Sequence, residues 1–386
     1  MATTTVVTAE ERPARGDAAG WSGQFNGNQS ELKGNQMKSE ISINLIASAV
    51  AACVLGCQSA KAAEPLTIVS WGGAYSESQR KAYYEPYTKQ AGVKITEEEY
   101  DAELGKLKAM KEAGNVTWDV IDVDSSHALS GCDEGLFEKL DYSKIADTSK
   151  FLPGTALDCA VGTIAYSTIF AFNADVYKDN QPSSLADLFD TKKYPGKRAL
   201  LKKPFGNLEW ALLADGVPAG DVYKVLATPE GVDRAFKKLD TIKSDVVWWE
   251  AGAQPPELLA NGQVVMTSAF NGRIGNAIKE GKNFKIVWDR QEFDWDYWAI
   301  PAGSKHVEGA YDFIKFASDP KNMSQQSKYI AYAPTRVEAI AMVDPKVAPT
   351  LPTYPENMKT AVTTDVQFWA DNNEDLTKRF NAWLAQ

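Results

Sequence analysis

Short runs rich in β-branched residues alternate with helical segments from residue 66 onward, and this alternation constrains the fold more than any other feature of the chain. Three strand candidates, Leu66–Ser70, Val93–Glu99 and Trp118–Asp124, are separated by segments of helical pattern, the first of which is Ser76–Gln90. A strand–helix–strand order of this kind is typical of a parallel sheet with helices on both faces. We therefore predict an α/β fold.

The carboxyl ends of two of these strands carry residues suited to a binding site. Trp71–Gly73 follows the first strand, and Asp124–His127 follows the third. Ligands of such sheets bind just beyond the carboxyl ends of the strands. We expect the two segments to lie side by side and to line a ligand site.

A second set of elements begins near residue 170. It contains the helix Leu185–Phe189, the strand Arg198–Leu201 and the helix Asn207–Ala214, followed by further strands and helices. The strand Trp298–Pro301 and the helix Val307–Ala317 are then expected to rejoin the first set. Because no low-complexity linker separates the two sets, we predict that the backbone crosses between them more than once.

The length of 386 residues suits about two domains. We predict a first lobe made of residues 64–170 and 298–334, and a second lobe made of residues 171–297 and 335–386. The N-terminal residues 1–63 are expected to lie outside both lobes.

This N-terminal segment, residues 1–63, has the pattern of an extension followed by an export signal. The part before Met37 is polar and has no periodicity, whereas Lys38 is followed by the apolar run Leu45–Gly56 and by an A-x-A site that ends at Ala62. A basic residue, a short apolar run and a small-residue site are the three parts of a secretory signal. We expect the true start at Met37, cleavage after Ala62 and a periplasmic location.

A lipid-anchored form is the alternative, because Cys53 and Cys57 each end a short segment that resembles a lipobox. The apolar run is too short to span a bilayer, which needs about 20 residues. Once residues 1–63 are removed, Cys132 and Cys159 are the two remaining cysteines. An even pair in an exported protein favours a disulfide bond between them.

Composition argues against several classes of protein. The formal net charge is -10 and the sequence has no basic stripe, which argues against a nucleic-acid partner. His127 and His306 are the only histidines and lack the spacing of metal ligands, so neither a metal nor a cofactor is expected. The sequence also has no nucleophile elbow and no Walker A motif.

Two other interpretations stay open at this point. Asp294 and Asp296 would share a face of an extended segment, so they could act as the acid and base of a hydrolase. A ferric-ion receptor would need adjacent tyrosines as ligands, whereas Tyr329 and Tyr332 are three residues apart.

Four motifs resemble those of the spermidine/putrescine-type periplasmic binding proteins of ABC importers. They occur in the family's order and are Ser183–Lys197, Leu259–Met266, Ala299–Phe316 and Tyr332–Thr335. The resemblance covers essentially all of residues 65–386. It implies a two-lobe, type II periplasmic-binding-protein fold, in which each lobe is a mainly parallel sheet flanked by helices and the ligand cleft lies at the hinge. It also implies a monomeric receptor, without enzymatic activity, that delivers a small amino-bearing solute to permease subunits.

The resemblance also assigns individual residues to the ligand. They comprise aromatic side chains for cation–π contact and for methylene groups, hydroxyl-bearing residues and one amine-binding carboxylate, namely Trp71, Tyr75, Ser125, Ser126, Phe270, Tyr332 and Asp296. An ammonium group of the ligand would pair with the carboxylate of Asp296.

Two departures from the family pattern leave the ligand open. The family carries an acidic pair after one strand of the second lobe, but the corresponding segment Lys202–Gly206 has none, and the next carboxylate is Glu209. In addition, Arg273 stands in the expected cleft, where its guanidinium would bind a carboxylate through two hydrogen bonds. We therefore expect either a polyamine such as putrescine or spermidine, or a zwitterion such as 4-aminobutyrate. The structural alternative for Arg273 is that it caps a helix or forms an ion pair with Glu280 or Asp296.

Overall fold

The computed structural model describes residues 64–100 and 104–386. The extension and export signal predicted for residues 1–63, with cleavage after Ala62 or a lipid at Cys53 or Cys57, lie outside the described residues. They stay predictions.

Ten strands of the described part of the chain form one mixed sheet. In chain order they are β1 (Leu66–Ser70), β2 (Ile95–Glu99), β3 (Val120–Asp124), β4 (Ala160–Asn173), β5 (Arg198–Leu201), β6 (Val246–Trp249), β7 (Met266–Phe270), β8 (Phe284–Ala299), β9 (Ala333–Pro334) and β10 (Val362–Thr363). The order in the sheet is β2-β1-β3-β8-β4-β7-β5-β6, with β9 beside β4 and β10 beside β8. β1 is parallel to β2 and β3, and β5 is parallel to β6 and β7, which confirms the predicted parallel pairing.

Helices flank the sheet and cover its buried side chains. In chain order they are α1 (Gly73–Gln79), α2 (Glu85–Ala91), α3 (Gly105–Glu112), α4 (Ser125–Asp133), α5 (Leu185–Phe189), α6 (Asn207–Ala214), α7 (Val222–Leu226), α8 (Pro229–Asp240), α9 (Gln254–Ala260), α10 (Asn271–Lys279), α11 (Val307–Ala317), α12 (Pro320–Tyr329), α13 (Val337–Ile340) and α14 (Val366–Leu384). The predicted α/β fold class is confirmed.

The first helix begins earlier than its sequence predicts. It starts at Gly73, three residues before Ser76, the predicted first residue of the helix. Gly72, with φ 70°, lets the chain turn directly out of β1, and the Ser76 hydroxyl instead accepts a hydrogen bond from the Gly72 N–H at 2.9 Å. A π-helical turn, Arg80–Tyr84, joins α1 to α2, and left-handed Gly92 ends α2 as predicted. The earlier start places the first helical turn directly against the end of β1.

Two long strands connect the two halves of the sheet. β4 runs antiparallel to β8 along most of its length, with a register irregularity just after Thr168. The sequence predicts separate strands at Phe284–Trp288 and Trp298–Pro301, but the ladder with β4 unites them in the single strand β8. At the irregularity Arg290 has φ 58°, an uncommon conformation for a residue with a Cβ. Because β4 and β8 each extend from one half to the other, the chain passes between the halves along both strands.

Separate clusters of buried side chains lie on the two halves. Trp298 and Phe313 belong to one cluster beside β1 and β3, and Trp118 belongs to another. Trp210 and Trp369 belong to the cluster that covers one face of the half formed by β5, β6 and β7. Burying an apolar side chain of this size stabilises the fold by about 1.5 to 3 kcal/mol. The separate clusters are consistent with two lobes, and the lobe boundaries given above stay a prediction.

A disulfide bond joins Cys132, in α4, to Cys159, directly before β4, with the two Cα atoms 5.6 Å apart. This is the pairing that the sequence predicts. The sequence separation is 27 residues, and in the chain-entropy model a loop of that size stabilises the fold by about 3 to 4 kcal/mol. The bond attaches the helix that follows β3 to the strand that extends into the second half.

Candidate ligand-binding site

The ends of β1 and β3 lie next to each other, as predicted, and Asp122 of β3 connects them. Its carboxylate accepts hydrogen bonds from Trp71 Nε1 at 2.9 Å, from Tyr75 OH at 2.8 Å and from Gln79 Nε2 at 2.6 Å. Asp122 is fully buried. Burial raises the pKa of its carboxyl to about 7, although the three donors act in the opposite direction. The carboxyl therefore fixes the orientation of two predicted ligand-binding rings, Trp71 and Tyr75.

Five aromatic side chains meet at this edge of the sheet. Tyr75 lies 5.4 Å from Tyr332 between ring centroids, and Tyr166 lies 5.6 Å from Phe270 and 6.3 Å from Tyr332. These pairs are edge-to-face, and Trp71 packs against the same cluster. The rings offer apolar edges to methylene groups and π faces to a cation.

Two carboxyls on β8 lie beside these rings. Asp294 and Asp296 are two residues apart on an extended strand, so they point to the same face of the sheet. In the register, Asp296 is opposite Asp124 of β3 and Ile164 of β4, and Asp294 is opposite Tyr166. Burial raises the pKa of Asp294 to about 7 and that of Asp296 well above its usual range, and neighbouring carboxylates add to both shifts. The site therefore favours the uncharged form of these carboxyls until a cation enters.

Asp296 is the most poorly compensated of these groups. It is 6% exposed, and no described residue donates a hydrogen bond to its side chain. Burial raises the pKa values of Tyr75, Tyr166 and Tyr332, and the charge of Asp296 contributes to all three shifts, so this carboxyl lies among the three rings. A buried carboxylate without a partner costs several kcal/mol. A cationic group of a ligand would remove that cost.

Asp124, by contrast, has its own partners at the start of α4. It accepts hydrogen bonds from the His127 N–H and the Ser126 hydroxyl, both at 2.9 Å, and it lies 2.8 Å from His127 Nδ1. Burial alone would raise the pKa of Asp124, but the charge of His127 and these hydrogen bonds outweigh it and lower the pKa below its usual range. Ser125 is fully buried, and its hydroxyl has no hydrogen-bond partner among the described residues. Of the two predicted serines, Ser126 is therefore engaged by Asp124, whereas the hydroxyl of Ser125 lies close enough to Asp294 to act against the upward pKa shift of that carboxyl.

Arg273 reaches from α10 in the second half to the backbone of the first half. Its terminal nitrogens donate to the carbonyls of Gly72 at 3.1 Å and of Trp71 at 3.3 Å. Its Nε is buried and has no partner within residues 64–100 and 104–386. Glycines make room for the guanidinium, because a Cβ at Gly73 or Gly252 would lie 2.8 Å from one of its nitrogens. The guanidinium thus connects the two halves and keeps one N–H for another acceptor.

The ion pair considered for Arg273 from the sequence is not formed. Its side chain pairs with neither Glu280 nor Asp296 in the described part of the structure. It donates to the two carbonyls and also interacts with the phenol of Tyr332, where its charge and a hydrogen bond act against the upward pKa shift that burial causes. The positive charge of Arg273 still acts against the upward pKa shift that burial and nearby carboxylates impose on Asp296. One site therefore holds a cationic and an anionic group that do not neutralise each other by direct contact.

Sequence reasoning missed several groups of this region. Asp122 lies inside a strand and Tyr166 lies inside an unbroken run of strand residues. Nothing in the local sequence therefore indicates that either residue belongs to a ligand site. The second half also contains an acidic pair, Glu209 and Glu292, in which the charge of Glu209 adds to the upward pKa shift of Glu292 although the two are far apart in sequence. The sequence indicates only the pair Asp294 and Asp296, which are two residues apart.

The ferric-ion interpretation fails on geometry. Tyr329 is 39% exposed, whereas Tyr332 is 4% exposed within the aromatic cluster, so the two rings do not converge. In the part of the chain that the structure describes, no group of three or more His, Cys, Asp or Glu residues is arranged to hold a metal ion.

An uncompensated carboxyl, a guanidinium with a free N–H and aromatic rings thus surround one location between the halves of the sheet. These groups suit the capture of a small charged molecule, and they define the protein as a solute receptor.

Comparison with known proteins agrees with this class. The family model for bacterial extracellular solute-binding proteins matches residues 82–353. The gamma-aminobutyric acid-binding protein of Pseudomonas aeruginosa is 46% identical over 323 residues, which cover 84% of this chain and 92% of that protein. The spermidine/putrescine-binding periplasmic protein of Escherichia coli is 24% identical over 320 residues, which cover 80% of this chain and 88% of that protein.

Solved structures agree as well. The periplasmic binding protein MotA of A. tumefaciens in complex with glucopine has a TM-score of 0.78 at 33% identity, covering 83% of this chain and 99% of that one. A GABA receptor has a TM-score of 0.75 at 37% identity, covering 83% of this chain and 98% of that one.

The chain belongs to the family of bacterial extracellular solute-binding proteins. It is a substrate-binding receptor of an ABC importer and not an enzyme, which confirms the predicted type II fold and function. The relatives give no support to the ferric-ion alternative or to a hydrolase.

Membership of this family also implies a location outside the cytoplasmic membrane, in the periplasm. Among residues 64–100 and 104–386, no helix combines the length and the apolar character that a membrane-spanning segment needs.

Proposed function

We propose that this receptor captures a small ω-amino acid such as 4-aminobutyrate in its zwitterionic form. One observation carries the proposal: the unpartnered carboxyl of Asp296 and the unpartnered Nε–H of Arg273 belong to the same site without bonding to each other. The ammonium group of the ligand would pair with Asp296, and its carboxylate would accept from Arg273. Each new contact would satisfy a buried group that otherwise costs free energy.

The rest of the site suits the body of such a ligand. Tyr75, Tyr166, Tyr332 and Phe270 form apolar walls for a short methylene chain, and the tyrosine rings can also contact the ammonium group. Ser125 offers a buried hydroxyl. The relative that is 46% identical is named for gamma-aminobutyric acid, which supports the same ligand class.

A polyamine such as putrescine or spermidine is the second candidate. It is favoured by the additional buried carboxyl of Asp294, on the same face as Asp296, and by the relatives named for spermidine and putrescine at 24% identity. The guanidinium of Arg273 argues against it, because a like charge next to a dication is unfavourable. We therefore place the amino acid first.

The proposal extends to the partners of the receptor. We infer that the two lobes close around the ligand and that the closed monomer delivers it to the permease subunits of the importer. The hydrogen bonds from Arg273 to the carbonyls of Trp71 and Gly72 support closure, because they already join the two halves.

The test is a calorimetric titration of the wild type and of Arg273→Ala with 4-aminobutyrate, putrescine and spermidine. For a zwitterion, the substitution should weaken binding by about 2 to 4 kcal/mol because it leaves the ligand carboxylate unpaired. For a diamine, it should leave the affinity unchanged or increase it by removing a like charge. Arg234→Ala is the matched control, because Arg234 is a half-exposed arginine whose partner is Asp215, away from the site.

Two results would contradict the amino acid. One is tight binding of putrescine or spermidine with no measurable binding of 4-aminobutyrate. The other is equal affinity of the wild type and Arg273→Ala for 4-aminobutyrate, which would leave Arg273 without a role in the ligand contact.

A further inference from the structure

Glu209 and Glu292 form a pair of buried carboxyls that the proposed ligand contacts do not use. Glu209 lies in the first turn of α6 and Glu292 lies in β8, and they are 0% and 1% exposed. Trp369 Nε1 donates to Glu209 Oε1 at 2.7 Å, and Tyr223 OH donates to Glu292 Oε1 at 3.3 Å. One oxygen of each carboxyl is therefore satisfied.

The second oxygen of each carboxyl is not. Oε2 of Glu209 and Oε2 of Glu292 are both buried and accept no hydrogen bond from a described residue. The end of α6 that carries Glu209 lies close to Glu292, because a Cβ on Gly206 would be 2.9 Å from Glu292 Oε2. A proton on one carboxyl would donate to the other and satisfy both oxygens with a single hydrogen bond. Two carboxylates that share a buried site also repel each other, and this repulsion favours the form in which one of them is protonated.

The groups around the pair supply no positive charge. Tyr223 faces it from α7 and Trp369 from α14, and both are uncharged donors. Thr168 of β4 is directly opposite Glu292 in the register, and Asp294, two residues further along β8, adds a negative charge. No lysine, arginine or histidine of the described residues is among the ion-pair or hydrogen-bond partners of either glutamate. The N–H groups of Gly206 and Glu209 at the start of α6 lower the pKa of Glu209, as Trp369 and Tyr223 do, but burial outweighs these uncharged donors and favours a proton on the pair.

The helix that binds this pair also contacts the other half of the molecule. Trp369 belongs to α14, which packs on the cluster around Trp210 in the second half. The same helix contacts α4 in the first half, and the charge of Lys108 of α3 acts on Glu374 of α14. The position of α14 therefore influences how the two halves are held together.

We propose that Glu209 and Glu292 share one proton and that loss of this proton loosens α14, so that pH controls the contact between the two halves. With the proton bound, the pair is a neutral acid hydrogen-bonded to one carboxylate. Without it, two carboxylates repel each other between α6 and β8, and Trp369 of α14 is hydrogen-bonded to one of them, Glu209.

The pH range follows from the pKa values. Burial raises the pKa of Glu209 to about 7, and burial together with the charge of Glu209 raises the pKa of Glu292 well above its usual range. A carboxyl whose pKa is raised in the folded state contributes stability fully below its unfolded pKa of about 4.3. That contribution declines as the pH rises from about 4.3 through the folded pKa, and the shared proton itself leaves around the folded pKa of Glu209, which is about 7.

Glu209→Gln tests the proposal, because a glutamine amide can accept from Trp369 and donate to Glu292 and so imitates the protonated pair. The wild type should lose thermal stability when the pH is raised from 6 to 8, and the variant should lose much less. At pH 8 the variant should unfold about 2 to 4 °C above the wild type. Hydrogen exchange of residues 366–384, compared at the same pH, should be slower in the variant at pH 8 and equal at pH 6.

Glu250→Gln is the control, since it makes the same change in charge at an exposed residue that pairs with Lys202. Glu292→Gln is the second variant and should behave like Glu209→Gln. The proposal is overturned if both variants keep the pH dependence of the wild type, or if both are less stable than the wild type at pH 8. It is also overturned if sodium, potassium or calcium chloride restores the stability of the wild type at pH 8 but not that of the variants, because a metal ion would then occupy the pair.

Discussion

Asp296 of β8 lies directly opposite Asp124 of β3 in the antiparallel register of the two strands. Like charges at directly opposed positions destabilise a sheet, and here Asp296 is buried whereas the Asp124 side chain is 18% exposed. Asp124 is compensated by His127 and by the start of α4, whereas Asp296 has no donor among the described residues. This pairing of strands therefore makes ionisation of Asp296 unfavourable unless a cation is next to it. The ammonium group of the proposed ligand would be that cation.

Asp296→Asn should separate ligand affinity from stability. The substitution removes the partner of the ammonium group, so binding of 4-aminobutyrate should weaken by about 2 to 5 kcal/mol. In the absence of ligand it removes a buried group whose ionisation is unfavourable, so the variant should unfold at a higher temperature than the wild type at pH 8. Titration calorimetry and a thermal scan of the free protein measure the two effects.

Asp312→Asn on the exposed face of α11 is the control for the loss of one negative charge. It should change neither the affinity for 4-aminobutyrate nor the unfolding temperature of the free protein appreciably. An Asp296→Asn variant that kept its affinity would show that the ammonium group is bound elsewhere.

Ligand affinity should increase as the pH rises from the ordinary pKa of an aspartate, about 3.9, to the raised pKa of Asp296. The pKa of Asp296 is raised in the free protein, first by burial, so this carboxyl must lose a proton before it can pair with an ammonium group. Protons should therefore be released on binding, and the affinity should rise by up to about tenfold per pH unit for each proton released. Titrations in two buffers with different ionisation enthalpies count the protons.

Asp296→Asn should reduce this proton release by about one. The stability of the free protein should change with pH in the opposite direction and fall as the pH rises. The reason is that a carboxyl with a raised pKa stabilises the fold below its unfolded pKa and loses this contribution as the pH rises through its folded pKa. An affinity that was constant over this range would contradict the assignment of Asp296.

Gly252→Ala should displace Arg273 without changing any charge. The new Cβ would lie 2.8 Å from Arg273 Nε and 3.1 Å from Phe270 Cδ2, so the guanidinium has to move from its position. We expect the affinity for 4-aminobutyrate to fall about tenfold, which corresponds to about 1.4 kcal/mol, and the affinity for putrescine to fall less.

Gly220→Ala is the matched control, because a Cβ at Gly220 would have no atom within 4 Å. It should bind both ligands as the wild type does. Equal losses for both ligands in Gly252→Ala would indicate a general disturbance of the site and not a specific displacement of Arg273.

Much of the fold could be predicted from local patterns. β1, β5 and α6 lie where the strand and helix patterns place them, because their apolar spacing and their neighbouring turns agree. The predictions failed where tertiary contacts overrule local signals. The helix after β1 starts at Gly73 and not at the Ser76 cap, because Gly72 permits the turn. The strand predicted at residues 284–288 and the start of the one predicted at residues 298–301 belong to the single strand β8, because β8 pairs with β4 on both sides of the register irregularity.

In the candidate site, too, some residues could be predicted from the sequence and others could not. Phe270, Arg273 and Asp296 could be recognised from motifs that lie close together in the sequence. Asp122 and Tyr166 could not, because a carboxyl or a phenol inside a strand pattern carries no sign of what it will face.

The sequence by itself determined the alternation of strands and helices, the identity of the charged groups and every residue of the aromatic cluster except Tyr166, since these depend on side-chain type and spacing. Only the tertiary structure decided which charges meet. The register of β3 and β8 places Asp124 opposite Asp296, and the packing of α6 places Glu209 against Glu292. The physical reason is that burial and the distance between groups far apart in sequence set the free energy of a charge, and neither quantity exists until the chain has folded.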